Sequence, residues 1–153
     1  MKEFDYNLDY KTLDFTDDET RKLYRIGRGE QGVLLVRPYT EKICKHWRFK
    51  NVPTATQSSH KIYEMFCNYR RQKDFIGMDM ARKFLEMGFT RARRYANHKT
   101  GRKYSVSKEV LPQENDALTS EKAQAAQVFK KVRDLAAYDP EYQIMRKQWR
   151  ASE

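Results

Sequence analysis

Apolar residues recur at helical spacing along much of the chain and predict a mostly helical fold. Between residues 54 and 73, Ile62, Met65 and Phe66 fall on one face of a helix. The same spacing predicts further helices over residues 78–87, 90–98, 119–137 and 139–150.

Residues that favour helix ends set the limits of these predicted helices. Gly88 is a stop signal for the helix over residues 78–87, and the next helix begins at Thr90. Asp139 is a natural N-cap, because Pro140 suits the first helical position that follows it.

The first 40 residues carry a different pattern. Apolar side chains occupy the even positions between residues 4 and 10, which indicates an extended arm. Two short apolar runs, at residues 23–26 and 33–36, flank the sequence GRGEQG and predict a glycine-rich hairpin. Pro38 ends the second strand, because proline cannot donate to a ladder of hydrogen bonds.

These elements predict an α+β fold, in which a small glycine-rich β-hairpin or sheet packs on a mostly helical body. The length of 153 residues fits one compact unit. Within it we expect a core with an acidic N-terminal arm over residues 1–104, a linker or loop over 105–118, and a C-terminal helical hairpin over 119–153.

Charged residues are unevenly distributed along the chain, whose formal net charge is +10. The first 20 residues carry two lysines and seven acids, and residues 105–153 carry eight bases and eight acids. Residues 21–104 therefore hold 21 bases against six acids, a local charge of +15. This excess predicts a polyanionic partner, and nucleic acid, DNA or RNA, is the one we expect.

The densest part of this segment is RARRYANHKTGRKY, residues 91–104, which contains no acid. Phosphate binding needs such density, because each neutralised phosphate releases a counterion and several are required for useful affinity. Arg91, Arg94 and His98 share a face if the helix over residues 90–98 holds. The candidate phosphate-binding residues are Arg25, Arg28, Arg70, Arg71, Arg91, Arg93, Arg94, His98, Lys99, Arg102 and Lys103, and Arg82 and Lys83 would enlarge the patch.

The glycines of GRGEQG match the GxGxxG pattern, which lets backbone N–H groups approach phosphates closely. In dinucleotide-binding folds the pattern opens a helix, whereas here it precedes an apolar run that resembles a strand. A turn in which Gly27, Gly29 and Gly32 supply positive φ explains the motif without any ligand. The alternative is a phosphate-contacting hairpin assisted by Arg25 and Arg28.

Two other segments have both a nucleic-acid interpretation and a simpler one. The helices on either side of Gly88 are compatible with a helix-turn-helix reader, but an ordinary helical hairpin explains the same residues. The sequence HWRFK mixes aromatics with bases as single-strand binders do. Trp47 and Phe49 are nevertheless expected to anchor the core.

The sequence contains no recognisable catalytic motif and nominates no cofactor or metal site. Its cysteines and histidines lack the paired, close spacing of structural zinc ligands. No apolar run approaches the roughly 18 residues of a membrane span, and the amino terminus lacks the apolar region of a signal peptide. We therefore expect a cytoplasmic protein with no membrane partner.

With GRGEQGVLLVRPY, HWRFK and MARKFLEMGFTRARRYANHKTGRKY in view, the chain resembles a widespread family of small proteins known as a domain of unknown function. The resemblance covers roughly residues 4–104. It implies that these motifs form one domain with the arm FDYNLDY, and a bacterial or bacteriophage origin. It supplies no catalytic residue, cofactor or substrate.

Three hypotheses about function follow. The first is a non-enzymatic nucleic-acid-binding protein that uses the basic central face. The second is a small enzyme acting on a nucleotide or phosphate ester, with GRGEQG near the phosphate and Glu30 as acid or base; it requires Glu30 to lie near Arg94 or His98. The third is a bacteriophage-type interaction protein whose basic face binds an acidic host protein.

Overall fold

Six α-helices make up most of the chain that the computed structural model describes, which is residues 2–98 and 100–153. A single 3-10 turn, Tyr10–Thr12, lies in the arm before them. The helices are α1 (Asp18–Arg21), α2 (Tyr39–Cys44), α3 (Val52–Arg71), α4 (Phe75–Asn97), α5 (Glu121–Ala137) and α6 (Pro140–Ser152).

Helix α4 is the centre of the fold. Every residue from Phe75 to Leu85 is buried, because α2, α3, α5 and α6 all contact this helix. Asp74 begins α4 as its N-cap, and its carboxylate accepts a hydrogen bond from the N–H of Gly77 at 3.1 Å. The core is therefore arranged around one 23-residue helix.

The predicted β-hairpin is wrong, and with it the α+β fold class: the described residues contain helices and turns but no sheet. Residues 22–38, which include both apolar runs, form a succession of turns between α1 and α2. We call residues 27–32, the GRGEQG sequence, the glycine loop. Within the described residues, the isolated bridge between Tyr104 and Val110 is the one strand-like pairing.

Side chains, two of them from distant parts of the chain, replace the hydrogen bonds that a sheet would have made. The N–H of Ile26 donates to Glu153 Oε2 at 3.1 Å, and the N–H of Gly32 donates to the Tyr6 hydroxyl at 3.2 Å. Thr40 Oγ1 accepts from the N–H of Val36 at 3.0 Å. Buried backbone groups must find partners, and these side chains make an irregular loop stable in the core.

The turn interpretation of the glycine motif is confirmed. Gly27, Gly29 and Gly32 all have positive φ, between 52° and 78°. Gly32 also leaves room for the arm, because a Cβ there would lie 2.2 Å from the ring of Phe4.

The predicted break at Gly88 is also wrong, because α4 continues through it to Asn97. Gly88 packs directly beneath Phe129 of α5, where an added Cβ would lie 2.3 Å from the ring. The lack of a side chain at Gly88 lets α4 and α5 approach closely, and Gly88 does not end α4. The two predicted helices are therefore a single helix, without the turn that a helix-turn-helix reader needs.

The other helix predictions agree well with the structure. Helix α3 begins and ends two residues earlier than expected, and α5 and α6 agree within two residues. Asp139 is confirmed as the N-cap of α6, where its carboxylate accepts from the N–H of Tyr142 at 2.9 Å.

The acidic arm forms no strand but packs its aromatic side chains into the core. Phe4 stacks on Tyr10, with 5.4 Å between ring centroids, and Tyr10 stacks on Phe15 at 6.0 Å. Outside this stack, Glu3 pairs with Arg28 at 3.0 Å. The arm is thus an integral part of the fold.

Candidate functional site

Several of the predicted phosphate-binding residues already have partners within the protein. Arg28 pairs with Glu3 of the arm, and Arg70 pairs with the buried Asp139. Arg71 donates a hydrogen bond to the side chain of Asn68, one helical turn earlier. These intramolecular contacts compete with any external phosphate.

The final turns of α4 and the segment after it carry exposed bases without such partners. Arg91, Arg94, Arg102 and Lys103 are exposed, and none of them forms a salt bridge with a described residue. We call these four residues the basic surface. Lys99, predicted with them, lies outside the described residues.

Arg93 and His98 lie in the same stretch but face inward. Arg93 Nε donates to Asn97 Oδ1 at 3.2 Å, and its Nη2 is buried without a hydrogen-bond partner among the described residues. His98 is buried, with Nδ1 3.2 Å from the carbonyl oxygen of Pro112. His98 therefore joins the end of α4 to the segment 105–118.

Two tyrosines accompany the basic surface. Tyr95 is 39% exposed, and Gly101 packs against its ring. Tyr104 is 50% exposed, and Lys103 Nζ lies 5.7 Å from the centroid of its ring. By contrast, Trp47 and Phe49 are confirmed as core anchors, since both are partly buried against the hydrophobic core.

The glycine loop reaches this end of α4 through Glu30. The Glu30 carboxyl is partly buried beside Thr90, and burial raises its pKa. Glu86 raises the pKa further, whereas the Thr90 hydroxyl, Arg91 and Arg94 oppose the rise. One carboxyl oxygen of Glu30 is buried without a hydrogen-bond partner among the described residues.

Charged residues in the first half of α4 form a separate cluster inside the core. The Asp79 carboxylate accepts hydrogen bonds from the hydroxyls of Tyr24 and Tyr142, the latter at 2.5 Å. Arg82 donates to the same carboxylate from Nε at 2.9 Å and Nη2 at 2.8 Å, and Lys83 Nζ lies 3.8 Å away. We call these five residues the buried cluster.

The two cations of the buried cluster also hold the glycine loop. Arg82 Nη1 donates to the carbonyl oxygen of Gly29 at 3.0 Å, and Lys83 Nζ donates to that of Gln31 at 2.6 Å. Lys83 further lies over the rings of Phe4 and Tyr24, 5.1 Å and 5.0 Å from their centroids. The expectation that Arg82 and Lys83 enlarge the exposed basic patch is therefore wrong, because both side chains are buried.

The cluster shifts the pKa values of its members. Burial lowers the pKa of Lys83 to about 7; the Asp79 carboxylate opposes this shift, and the nearby positive charge of Arg82 adds to it. Burial alone would raise the pKa of Asp79, but Arg82, Lys83 and the two tyrosine hydroxyls hold it well below its usual range. Burial and then the Asp79 charge raise the pKa values of Tyr24 and Tyr142.

The sequence patterns did not indicate that these five residues form one cluster. Asp79, Arg82 and Lys83 are spaced at i, i+3 and i+4, which places them on one helical face. Their apolar surroundings in FIGMDMARKFL were the available signal that this face is buried. Tyr24 and Tyr142 come from far away in the chain and left no local signal.

Arg25 lies apart from both groups. It lines a cavity of about 700 Å³ together with Tyr24 and Trp149. Lys2 and Lys22 also line this cavity, and so do Asp18 and Glu153, so acids and bases are mixed there.

The described residues contain no group of three or more histidine, cysteine, aspartate or glutamate side chains arranged to hold a metal ion. None of the helices in this part of the chain is long and apolar enough to cross a membrane.

Comparison with known proteins identifies a family but no function. The family model described as Domain of unknown function (DUF4385) matches residues 5–152. The match includes α5 and α6, which the resemblance over residues 4–104 had left out. No curated protein and no solved structure matches the chain.

Proposed function

Since the chain belongs to the DUF4385 family, whose description assigns no activity, we propose a function from its own surface: it binds nucleic acid through Arg91, Arg94, Arg102 and Lys103. The observation that carries the proposal is that these exposed bases have no salt-bridge partner among the described residues. Their charges remain available to an external polyanion.

The density of charge supports the proposal. Residues 91–104 contain six bases and no acid. Arg91 and Arg94 also lie in the last two turns of α4, where the partial negative charge of the helix end favours cations. Several phosphate contacts made together release several counterions, and this release drives the binding of proteins to nucleic acids.

The exposed aromatics favour single-stranded over duplex nucleic acid. Tyr95 lies one position after Arg94, and Tyr104 follows Lys103. Single-strand binders combine backbone-tracking charge with aromatic rings on which bases stack. Helix α4 is continuous and lacks the turn that precedes a recognition helix. Insertion of such a helix into a major groove is therefore the weaker alternative.

Fluorescence anisotropy with labelled oligonucleotides tests the proposal. We expect wild-type protein to bind single-stranded DNA or RNA at about 50 mM salt. Affinity should fall roughly 50-fold by about 200 mM, because four phosphate contacts on a single strand give a slope of about −2.8 in log affinity against log salt concentration. Polyglutamate, used as a competitor, tests the hypothesis of an acidic protein partner. If it displaces the oligonucleotide at equal charge concentration, an acidic protein is the better-supported partner. If neither the oligonucleotide nor polyglutamate binds at low salt, both the nucleic-acid and the acidic-protein hypotheses are wrong.

A second candidate function, catalysis on a nucleotide or phosphate ester, has one specific observation in its favour. Glu30 lies near Arg91 and Arg94, and its pKa is raised by burial, which suits a general acid. His98 faces Pro112 instead and is not available to this group. If the candidate is right, an aryl phosphate ester is hydrolysed by the wild type and not by Glu30→Gln; equal rates in enzyme and buffer would exclude it.

A further inference from the structure

A cleft of about 290 Å³ lies where the glycine loop meets α4, α5 and α6. We propose that this cleft binds a phosphate group, either free or as part of a small phosphorylated metabolite. The inference rests on neither function proposed above, because no residue of the basic surface lines the cleft. Its principal lining residues are Gly29, Arg82, Glu86, Arg133, Tyr142 and Arg146.

Three arginines from three different helices converge on this cleft. Arg133 is neutralised by Glu86 at 2.8 Å and by Asp134 at 2.9 Å. Arg82 is matched by Asp79. Arg146 forms no salt bridge with any described residue, and its Nη1 donates to the Tyr142 hydroxyl at 3.2 Å. The cleft therefore has one arginine whose charge is left for an anion.

Arg82 forms a rigid, buried part of the same cleft. Its Nε and Nη2 bind Asp79, and its Nη1 binds the carbonyl oxygen of Gly29. Each terminal nitrogen of a guanidinium has two N–H donors, so both keep one for a ligand. Because the existing bonds fix the plane of the guanidinium, little side-chain entropy remains to be lost on binding.

The glycine loop contributes backbone that a ligand can approach. Gly29 has a φ of +52°, and the position where a Cβ would lie is open space. The N–H groups of Gly29 and Glu30 donate to no described residue. Glycine-rich loops with free N–H groups are a common means of binding phosphate.

Phosphate suits these groups better than a carboxylate does. Its tetrahedral oxygens can meet Arg82, Arg146 and a backbone N–H at the same time, whereas the two oxygens of a carboxylate lie in one plane. The volume is close to the lower limit of about 300 Å³ for ligand cavities, which selects a small ligand over a polymer.

Isothermal titration calorimetry with inorganic phosphate, at an ionic strength held constant with chloride, tests the site. We expect saturable binding by the wild type and affinity reduced roughly tenfold in Arg146→Ala, the loss typical of one charged hydrogen bond. Lys147→Ala is the matched control, since Lys147 is the exposed next residue of α6, carries the same charge and does not line this cleft. Its affinity should stay within about twofold of the wild type.

The outcomes separate this site from the basic surface and from bulk charge. Saturable phosphate binding that persists in the double variant Arg91→Ala/Arg94→Ala supports the cleft whatever the fate of nucleic-acid binding. Arg146→Lys retains the charge but not the planar fork, and weaker phosphate binding than in the wild type would support the arginine geometry. No saturable binding by the wild type, or equal losses in Arg146→Ala and Lys147→Ala, would overturn the proposal.

Discussion

The two ends of α4 use the same residue types in opposite ways. Near its beginning, Arg82 and Lys83 are buried around Asp79 and hold the glycine loop. Near its end, Arg91 and Arg94 are exposed and have no salt-bridge partner among the described residues. Less than three helical turns separate Arg82 from Arg91, yet one end stabilises the fold and the other is open to a partner.

A count of charges along the sequence therefore does not measure the charge available for binding. Nine of the 21 bases between residues 21 and 104 form salt bridges with other residues in the described part of the chain. Several of their partners lie outside that segment, among them Glu3 in the arm and Glu141 in α6. The folded protein therefore presents less free positive charge than the local +15 indicates.

The largest expected effect comes from removing the anion of the buried cluster. Asp79→Asn leaves Arg82 and Lys83 buried without a counter-charge, and we expect the free energy of unfolding to fall by about 3–5 kcal/mol. Urea denaturation of the wild type and the variant measures this difference in the free energy of unfolding. The matched control is Asp134→Asn, whose partly exposed ion pair with Arg133 should contribute no more than about 1 kcal/mol. Similar losses in both variants would contradict the distinction between buried and exposed charges.

Lys83 should make stability depend on pH. The folded-state pKa of about 7 lies below the ordinary value of 10.5, so between these values the unfolded chain binds the proton that the folded protein has released. The free energy of unfolding should thus rise with pH in this window, by up to about 1.4 kcal/mol per pH unit. Comparing wild type with Lys83→Met by urea denaturation between pH 7 and 9 isolates the effect. Parallel curves would show that Lys83 does not titrate there.

A smaller change tests a single hydroxyl of the buried cluster. Tyr142→Phe removes the hydroxyl that donates to Asp79 and accepts from Arg146 Nη1, and we expect a loss of about 1.5–3 kcal/mol in the free energy of unfolding. Tyr138→Phe is the control, because Tyr138 is 74% exposed. A neutral result for Tyr142→Phe in urea denaturation would mean that the remaining donors satisfy Asp79 alone.

The smallest expected effect on stability is at the other end of the helix. Arg91→Ala and Arg94→Ala should each change the free energy of unfolding by less than about 0.5 kcal/mol, since both side chains are exposed and neither forms a salt bridge with a described residue. Losses above 1 kcal/mol, measured by the same denaturation, would place these arginines among the residues that hold the fold together.

The helical part of the fold was readable from the sequence because its signals are local. Apolar spacing located α3, α5 and α6, and Asp139 was identified as an N-cap from its own position before a proline. The failures involve long-range contacts. The turns at residues 22–38 depend on Glu153 and Tyr6 for hydrogen bonds, and Gly88 packs against Phe129; all three of these partners are distant in sequence.

The same distinction applies to the candidate sites. The run of bases at residues 91–104 is a local pattern, and the sequence alone was enough to nominate Arg91, Arg94, Arg102 and Lys103. Whether an arginine is free is a long-range property, as Arg70 shows by pairing with Asp139 of another helix. The cleft that contains Arg82 and Arg146 is assembled from four segments and left no signal in any one of them.

The salt dependence of nucleic-acid binding tests most directly whether the free end of α4 is the binding surface. The measurement is the slope of log affinity against log salt concentration for the wild type, Arg91→Ala/Arg94→Ala and the control Lys130→Ala/Lys131→Ala, which removes two exposed charges from α5. We expect the slope to become shallower by about 1.4 in the first double variant, roughly 0.7 for each lost phosphate contact on a single strand, and to stay unchanged in the second. Equal slopes in the two double variants would show that the end of α4 is not the surface that binds nucleic acid.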